Sequence, residues 1–266
     1  MCLIAFAIGA SQRWPLVVAS NRDEFLDRPT LPLARWHTDA GTEVISGRDL
    51  RAGGTWLGLT PGGRLAMLTN VRGPASLTGE KSRGELVTRW LDSDAGASSF
   101  AAQIDAAAYG GFNLVLGDFK SGDWHWISNK PGPGLESRAL APGVYGLSNG
   151  ALDTPWPKTL ALKKALYSAL AAPSEEALNG ELMAALRSRQ RGGRDELPST
   201  GVPLALEEAL SSAFVDFPEH GYGTRCSTLL VASAASDGWN LAVQEYTHAH
   251  LAGDPSGTQN IRLNWS

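Results

Sequence analysis

The chain has 266 residues, 43% hydrophobic and 19% charged, with a net charge of -4 and an isoelectric point near 5.7. That is the make-up of a soluble globular protein with enough chain for one large core, and its acidic balance argues against a nucleic-acid-binding surface. Two cysteines give no disulfide framework, and the apolar first eight residues lack both the charged leader of a signal peptide and the length of a membrane span. A cytoplasmic protein of one domain over residues 1–266 is expected.

In chain order, Cys2-Leu3-Ile4-Ala5-Phe6-Ala7-Ile8 reads as a strand headed by a thiol. Removal of Met1 would make Cys2 the N-terminus, with nucleophile and base on one residue, because a free α-amine titrates near about 7.7–8.0 and can take the thiol proton. A small side chain at position 2 is the type after which methionine is removed; a retained Met1 would leave Cys2 an ordinary thiol. The competing reading is a small buried core residue. After a turn at 9–15, the strand Leu16-Val17-Val18-Ala19 runs into Ser20-Asn21-Arg22-Asp23-Glu24. A hairpin would return this polar cluster to the start of the chain, with Asn21 and Asp23 facing the amine and thiol of Cys2.

Residues 31–50 read as loop and short strand, broken by Pro29, Pro32 and Gly41. Residues 53–70 form a predicted hairpin of two apolar strands around Pro61-Gly62-Gly63, with Asn70 at the end of the second. Gly53 and Gly54 suit a turn and close backbone approach, since no P-loop Lys-Ser/Thr follows. Ser82 is placed to cap a helix with Leu86, Val87, Trp90 and Leu91 on one face, and a second helix surrounds Phe100 and Ile104. Strands follow at 112–117 and 123–128, the latter with Trp124 and Trp126 on one face and His125 on the other. Residues 144–148 form a short strand that delivers Asn149. Pro155 and Pro157 begin a helix with Leu160, Leu166 and Leu170, and Ser174 caps another with Leu178, Leu182 and Leu186. A surface loop at 190–201 and a short helix with Leu206, Leu210 and Phe214 complete a helical cap segment at about 155–215. The last two predicted strands are 225–233 and 239–247, joined at Ser236-Asp237-Gly238. Strand pairs at both ends with helices between point to an α+β fold of two stacked, mainly antiparallel sheets flanked by helices.

The run Asn21-Arg22-Asp23-Glu24 behind a Cys2 start resembles the signature of the NRDE family, also called the transport and Golgi organisation protein 2 family. The resemblance extends through Gly53-Gly54-Thr55-Trp56-Leu57-Gly58, Thr69-Asn70-Val71-Arg72, Ser82-Arg83-Gly84, Gly146-Leu147-Ser148-Asn149, Pro155-Trp156-Pro157-Lys158 and Tyr222-Gly223-Thr224-Arg225-Cys226-Ser227-Thr228. It implies a branch of the N-terminal nucleophile hydrolases similar in layout to the penicillin V acylase and bile salt hydrolase group, with their αββα four-layer sandwich.

The resemblance implies Cys2 as nucleophile, Asp23 as the holder of its amine, and Asn149 and Asn70 as oxyanion donors. Arg225 would stabilise the thiolate, while Asn21, Arg22, Glu24 and Arg72 would position substrate. The competing roles are strand-end caps for Asn70 and Asn149, a solvated ion cluster for Arg22, Asp23 and Glu24, a bracing contact for Arg225, and a buried, inert Cys226. Where the acylases carry an arginine just before the position of Asn21, this chain has Ala19 and Ser20. The implied activity is cleavage of an amide, ester or thioester through an S-acyl intermediate on Cys2, with no metal and no organic cofactor. The alternative is a non-catalytic carrier of an apolar ligand, haem or an acyl-CoA or lipid, acting in haem trafficking or lipid metabolism. The nine tryptophans could line such a pocket but equally fill a core. For haem there is no C-x-x-C-H motif, and His37, His125, His220, His248 and His250 form no axial-ligand pattern.

Overall fold

The computed structural model describes residues 2–73, 79–130, 132, 134–235, 238–250 and 254–265. The expectations for Met1 and for the turn residues Ser236 and Asp237 lie outside the described residues. The strands are β1 (Cys2–Ile8), β2 (Leu16–Phe25), β3 (Thr30–His37), β4 (Glu43–Asp49), β5 (Leu57–Leu59), β6 (Arg64–Asn70), β7 (Phe112–Asp118), β8 (Asp123–Ser128), β9 (Glu136–Ala139), β10 (Gly143–Leu147), β11 (Asp216–Phe217), β12 (Tyr222–Ala235), β13 (Gly238–Thr247) and β14 (Gly257–Trp265). The α-helices are α1 (Gly84–Leu91), α2 (Ala97–Ala101), α3 (Pro157–Ala169), α4 (Glu175–Leu186) and α5 (Leu204–Ala209). The protein is therefore α+β with two antiparallel sheets, and none of the described helices is long and apolar enough to cross a membrane.

The chain divides into two compact units. The first comprises Met1–Asp27 and Pro142–Asn264, and its sheet runs β10-β1-β2-β12-β13-β14, with β11 paired to β12. Alternation along the central strands gives one face Leu3, Ala5, Ala7, Val17, Ala19, Leu229 and Val231, which pack against Leu162 and Leu166 of α3 and Leu178, Leu182 and Leu186 of α4. Each fully buried leucine contributes about 1.5–3 kcal/mol. The helices expected as a cap thus form a layer on this sheet. Pro157 occupies the first turn of α3, and Ser174 caps α4 by accepting the N–H of Ala177. In α3 the buried stripe is Leu162, Leu166 and Ala169, whereas Leu160, expected inside, is 51% exposed. The helix lies so close to β10 that a Cβ on Gly146 would stand 2.6 Å from Thr159 Cγ2.

The second unit comprises Arg28–Ala141 with Trp265. Its sheet, β3 to β9 in sequence order, is a meander, and α1 and α2 bury Leu86, Val87, Trp90 and Phe100 against Ala66, Leu68, Leu114 and Leu116. Residues 31–50, expected as loop and short strand, are instead the hairpin β3–β4. Pro32 is tolerated because β3 is an edge strand whose pairing slips between Leu31 and Ala34, so no ladder bond needs its missing N–H. Strands β9 and β14, both largely exposed, are further additions to the predicted set. Ser82 does not cap α1; Arg83 holds that position without a side-chain bond, and Ser82 contributes only its carbonyl, to the N–H of Glu85. The paired glycines serve close approach, since a Cβ on Gly54 would stand 2.6 Å from the carbonyl carbon of Gly84 at the start of α1. The expected faces of β8 hold in their burial, with Trp124 and Trp126 both buried.

Candidate active site

The hairpin of β1 and β2 sets Cys2 directly opposite Arg22, and on the other side of β2 Arg22 stands opposite Cys226. Residues paired in this way share a sheet face, so Cys2, Arg22 and Cys226 form one buried row. The next row belongs to the opposite, helix-covered face: Leu3, Asn21 and Ser227. This corrects the expectation that Asn21 and Asp23 face the thiol; the period of two along β2 puts both on the face opposite Arg22. Asn21 Nδ2 donates to the carbonyls of Leu186 and Ala213, each at 2.8 Å, and its Oδ1 accepts from Ser227 Oγ at 2.6 Å. It ties β2 to the end of α4 and to β12, and no part of it is exposed.

The polarity of this network is fixed. With both amide protons of Asn21 on carbonyls, its oxygen must accept the single proton of Ser227, so the Nε2 of His248, 2.8 Å from Ser227 Oγ, carries a proton and donates it. Burial, followed by the charges of Arg187, His250 and Arg189, lowers the His248 pKa to about 4, and the ring is neutral at pH 7.

Asp23 pairs with Thr224 across β2 and β12, and its Oδ1 accepts from Thr224 Oγ1 at 2.7 Å. That hydroxyl accepts the N–H of Val215 at 2.8 Å, and His250 Nε2 meets the Thr224 carbonyl at 2.7 Å. Gly223 must lack a side chain here, because a Cβ would stand 2.6 Å from the imidazole of His250. The ladder then slips between Thr224 and Cys226, which leaves Arg225 as the extra residue of a β-bulge. Its Nη1 donates to the carbonyls of Phe25 and Leu26, both at 2.9 Å, and so braces the end of β2. Arg22 lies 3.6 Å from Glu24.

Asn149 is delivered by β10 and is fully buried. Ser148 Oγ lies 3.1 Å from the carbonyl oxygen of Cys2 and 3.3 Å from Asn149 Oδ1, which links the two candidate residues. The turn behind them is pinned by Asp153, at φ 61°, which exchanges two 2.8 Å bonds with the backbone of Gly146. Asn70 ends β6 opposite Phe112, and Arg72 follows two residues later, both in the second unit. The roles given to these two rest on the resemblance alone.

Burial pushes the Cys2 thiol above its ordinary value; Asp23 and Glu24 push the same way, and Arg22 opposes them. A neutral thiol at pH 7 needs a base. Cys226 is held well above the ordinary thiol value by burial and Glu245, which makes it the less reactive of the two. Tyr222, raised by burial and then by Asp23, is a neutral hydroxyl in the same electrostatic neighbourhood. Among the described residues no group of three His, Cys, Asp or Glu side chains is placed to hold a metal ion.

The hydroxyls of Ser148, Thr224 and Ser227 carry no role in the sequence reading, and His248 and His250 enter it only as histidines that form no axial-ligand pattern. The three hydroxyls do lie inside the quoted Gly-Leu-Ser-Asn and Tyr-Gly-Thr-Arg-Cys-Ser-Thr stretches, which is the signal that could have found them.

Comparison with known proteins bears on what this arrangement is. The model of a family described as Transport and Golgi organisation 2 matches residues 1–246. A Transport and Golgi organization protein 2 homolog from Bos taurus is 34% identical over 252 residues, 88% of this chain and 89% of its own length. The Homo sapiens homolog is 32% identical over 253 residues, with the same coverages, and the Drosophila melanogaster protein 30% identical over 259 residues, 88% of each chain. Among solved structures, a Caenorhabditis elegans N-acylethanolamine-hydrolyzing acid amidase ortholog superimposes with a TM-score of 0.52 at 12% identity, over 87% of this chain and 92% of its own. The fold is thus similar to that of the N-terminal nucleophile hydrolases.

Proposed function

The chain belongs to the Transport and Golgi organisation 2 family, and from that premise we propose that it is an N-terminal cysteine hydrolase acting on an amide, ester or thioester. The observation that carries the reading is the buried row in which Cys2 stands opposite Arg22, with Asn149 joined to the Cys2 main chain through Ser148. After removal of Met1, the α-amine of Cys2 takes the thiol proton, and the sulfur attacks the acyl carbon. The new S–C bond forms and the bond to the leaving group breaks, and the leaving group departs with the proton held by the amine. Water then attacks the thioester, giving up its proton through the same amine, and the S–C bond breaks to return the thiol. Asn149 donates to the oxyanion; one such donor is worth about 100 to 1,000-fold in rate. Arg22 adds a side-chain positive charge that, after the N-terminal amine, draws the thiol toward ionisation. The scheme uses no metal or organic cofactor.

Intact-mass measurement of untagged protein, before and after exposure to a panel of acyl thioesters and amides, tests the reading. Loss of Met1 together with an acyl adduct that is absent from Cys2→Ala is the expected result. Processed protein that never acquires an adduct would overturn it.

A further inference from the structure

The ladder between β1 and β10 ends at Ile4 and Leu147, so on the β10 side of β1 Cys2 lies beyond the last paired residues, while on the other side it pairs with Arg22 of β2. A buried carbonyl needs a donor from elsewhere. Ser148 provides it: its hydroxyl, 3% exposed, stands 3.1 Å from Cys2 O and 3.3 Å from Asn149 Oδ1, and shares one proton between two acceptors. The side chain therefore touches the main chain of the nucleophile on one side and the oxygen of the candidate oxyanion donor on the other. Only the N–H end of that carboxamide can stabilise an oxyanion.

We propose that Ser148 is a positioning residue that locks the Cys2 main chain and the Asn149 carboxamide into one frame, so that sulfur and oxyanion donor keep a fixed separation during acyl transfer. The inference rests on the acyl-transfer reading above and adds to it a residue that does not itself touch the reacting atoms. The frame on either side of Ser148 is rigid. Upstream, Gly146 lies hard against α3, where any side chain would collide with Thr159 and Lys163. Downstream, Asp153 returns to both backbone groups of Gly146 and is itself held by Lys163 Nζ at 2.6 Å. Between these anchors the hydroxyl is the element that couples the turn to β1. Loss of such a coupling moves a donor without removing it, and a displacement of about 1 Å costs up to about 100-fold in rate.

Two reagents separate this role from a merely structural one. Acetylation of Cys2 by a small acetyl thioester develops an oxyanion; alkylation by iodoacetamide attacks a saturated carbon and does not. Both rates are read by mass on the Cys2 peptide, which excludes signal from Cys226. In Ser148→Ala, acetylation is expected to fall at least about tenfold while alkylation stays within about twofold, and Ser148→Thr, which keeps the hydroxyl, recovers acetylation. Thermal unfolding of each variant checks that the fold is kept. Unchanged acetylation, an equal fall in both rates, or a Thr variant as slow as the Ala variant would overturn the inference. A wild-type protein that alkylates at Cys2 but never acetylates would overturn the hydrolase reading and this inference with it, and is distinct from the case in which only the Ser148 variants behave otherwise than expected.

Discussion

Asn21 is the middle of a buried junction, and replacing it tests whether the residue belongs to the scaffold or to the chemistry. Asn21→Ala strips the donor from the carbonyls of Leu186 and Ala213 and the acceptor from Ser227. A buried carbonyl left without its donor costs about 1–3 kcal/mol, and the Ser227 hydroxyl, free to rotate, about 0.5–1.5 kcal/mol. With the low end taken for the carbonyls, because a cavity the size of a carboxamide can admit water, the loss is about 2.5–3.5 kcal/mol. At about 2–4 °C per kcal/mol for a protein of this size, the melting temperature should fall by about 5–14 °C. Asn21→Asp should fall at least as far, since it sets a carboxylate oxygen against two carbonyls only 2.8 Å away. Thermal unfolding followed by circular dichroism measures the shift, and iodoacetamide alkylation of Cys2 below the transition should stay within about threefold of wild type, because Asn21 lies on the other face of β2. An Asn21→Ala protein that melts within 2 °C of wild type, or one that keeps its stability and loses thiol reactivity, would refute the placement.

Two further outcomes follow from the same geometry. Arg22→Gln should raise the apparent pKa of the Cys2 thiol and slow its alkylation at pH 7 several-fold, because Arg22 is the side-chain cation opposing the burial of that thiol; Arg225→Gln should instead lower stability by about 0.5–1.5 kcal/mol through the lost bonds to the carbonyls of Phe25 and Leu26, with little change in alkylation. The reverse pattern in a pH–rate series would return the thiolate role to Arg225. His248 sets an acid limit on stability: its folded pKa of about 4 lies below the ordinary value of 6.5, so the unfolded chain binds a proton first as pH falls. Stability is then lost between about pH 6.5 and 4 and is flat above, with His248 accounting for about 1–2 kcal/mol after discounting for its partial exposure. Urea midpoints at pH 7 and 4.5 should differ less in His248→Gln than in wild type; equal differences would exclude the effect.

The parts of the fold that were legible in the sequence are those written in local period. Apolar runs between turn residues placed β1, β2, β6 and β7, alternation placed β8, and leucines at every fourth position with Ser174 in front defined α4. Where a tertiary condition decides the outcome, the pattern misled. Pro32 breaks a strand only if its N–H is needed, and on the edge strand β3 it is not. Leu160 continues an apolar pattern that no neighbour covers. The second half of the largely exposed strand β14 does alternate, with Ile261, Leu263 and Trp265 set against Arg262 and Asn264, so that part of its pattern was legible. At the site, the hairpin of β1 and β2 could be anticipated, since it joins neighbours in the chain, but not its phase, which puts Arg22 rather than Asn21 or Asp23 opposite Cys2. The partners of Asn21 and Asp23 could not: Ser227 and Thr224 lie some two hundred residues further on, and only the completed sheet brings them into register.

Strand β2 carries two trades on alternate teeth. Asn21 engages the helical layer, Arg22 engages the thiols, and the next tooth, Asp23, meets Thr224. Phase is therefore as much a part of the site as composition. The phase is set by the short link at its start, where Gly9, at φ 56°, closes the hairpin by donating to the carbonyl of Pro15 at 2.8 Å. Deleting a single residue from 11–13 would leave every candidate residue in the chain and yet, if β2 slipped by one place against β1, bring Asn21 under the thiol and drive a guanidinium into the leucine layer. Sequence variation in that link should accordingly be free in identity and closed in length, and a comparison of natural relatives by the spacing from Cys2 to Arg22 would sort proteins that keep this site from those that only keep its letters.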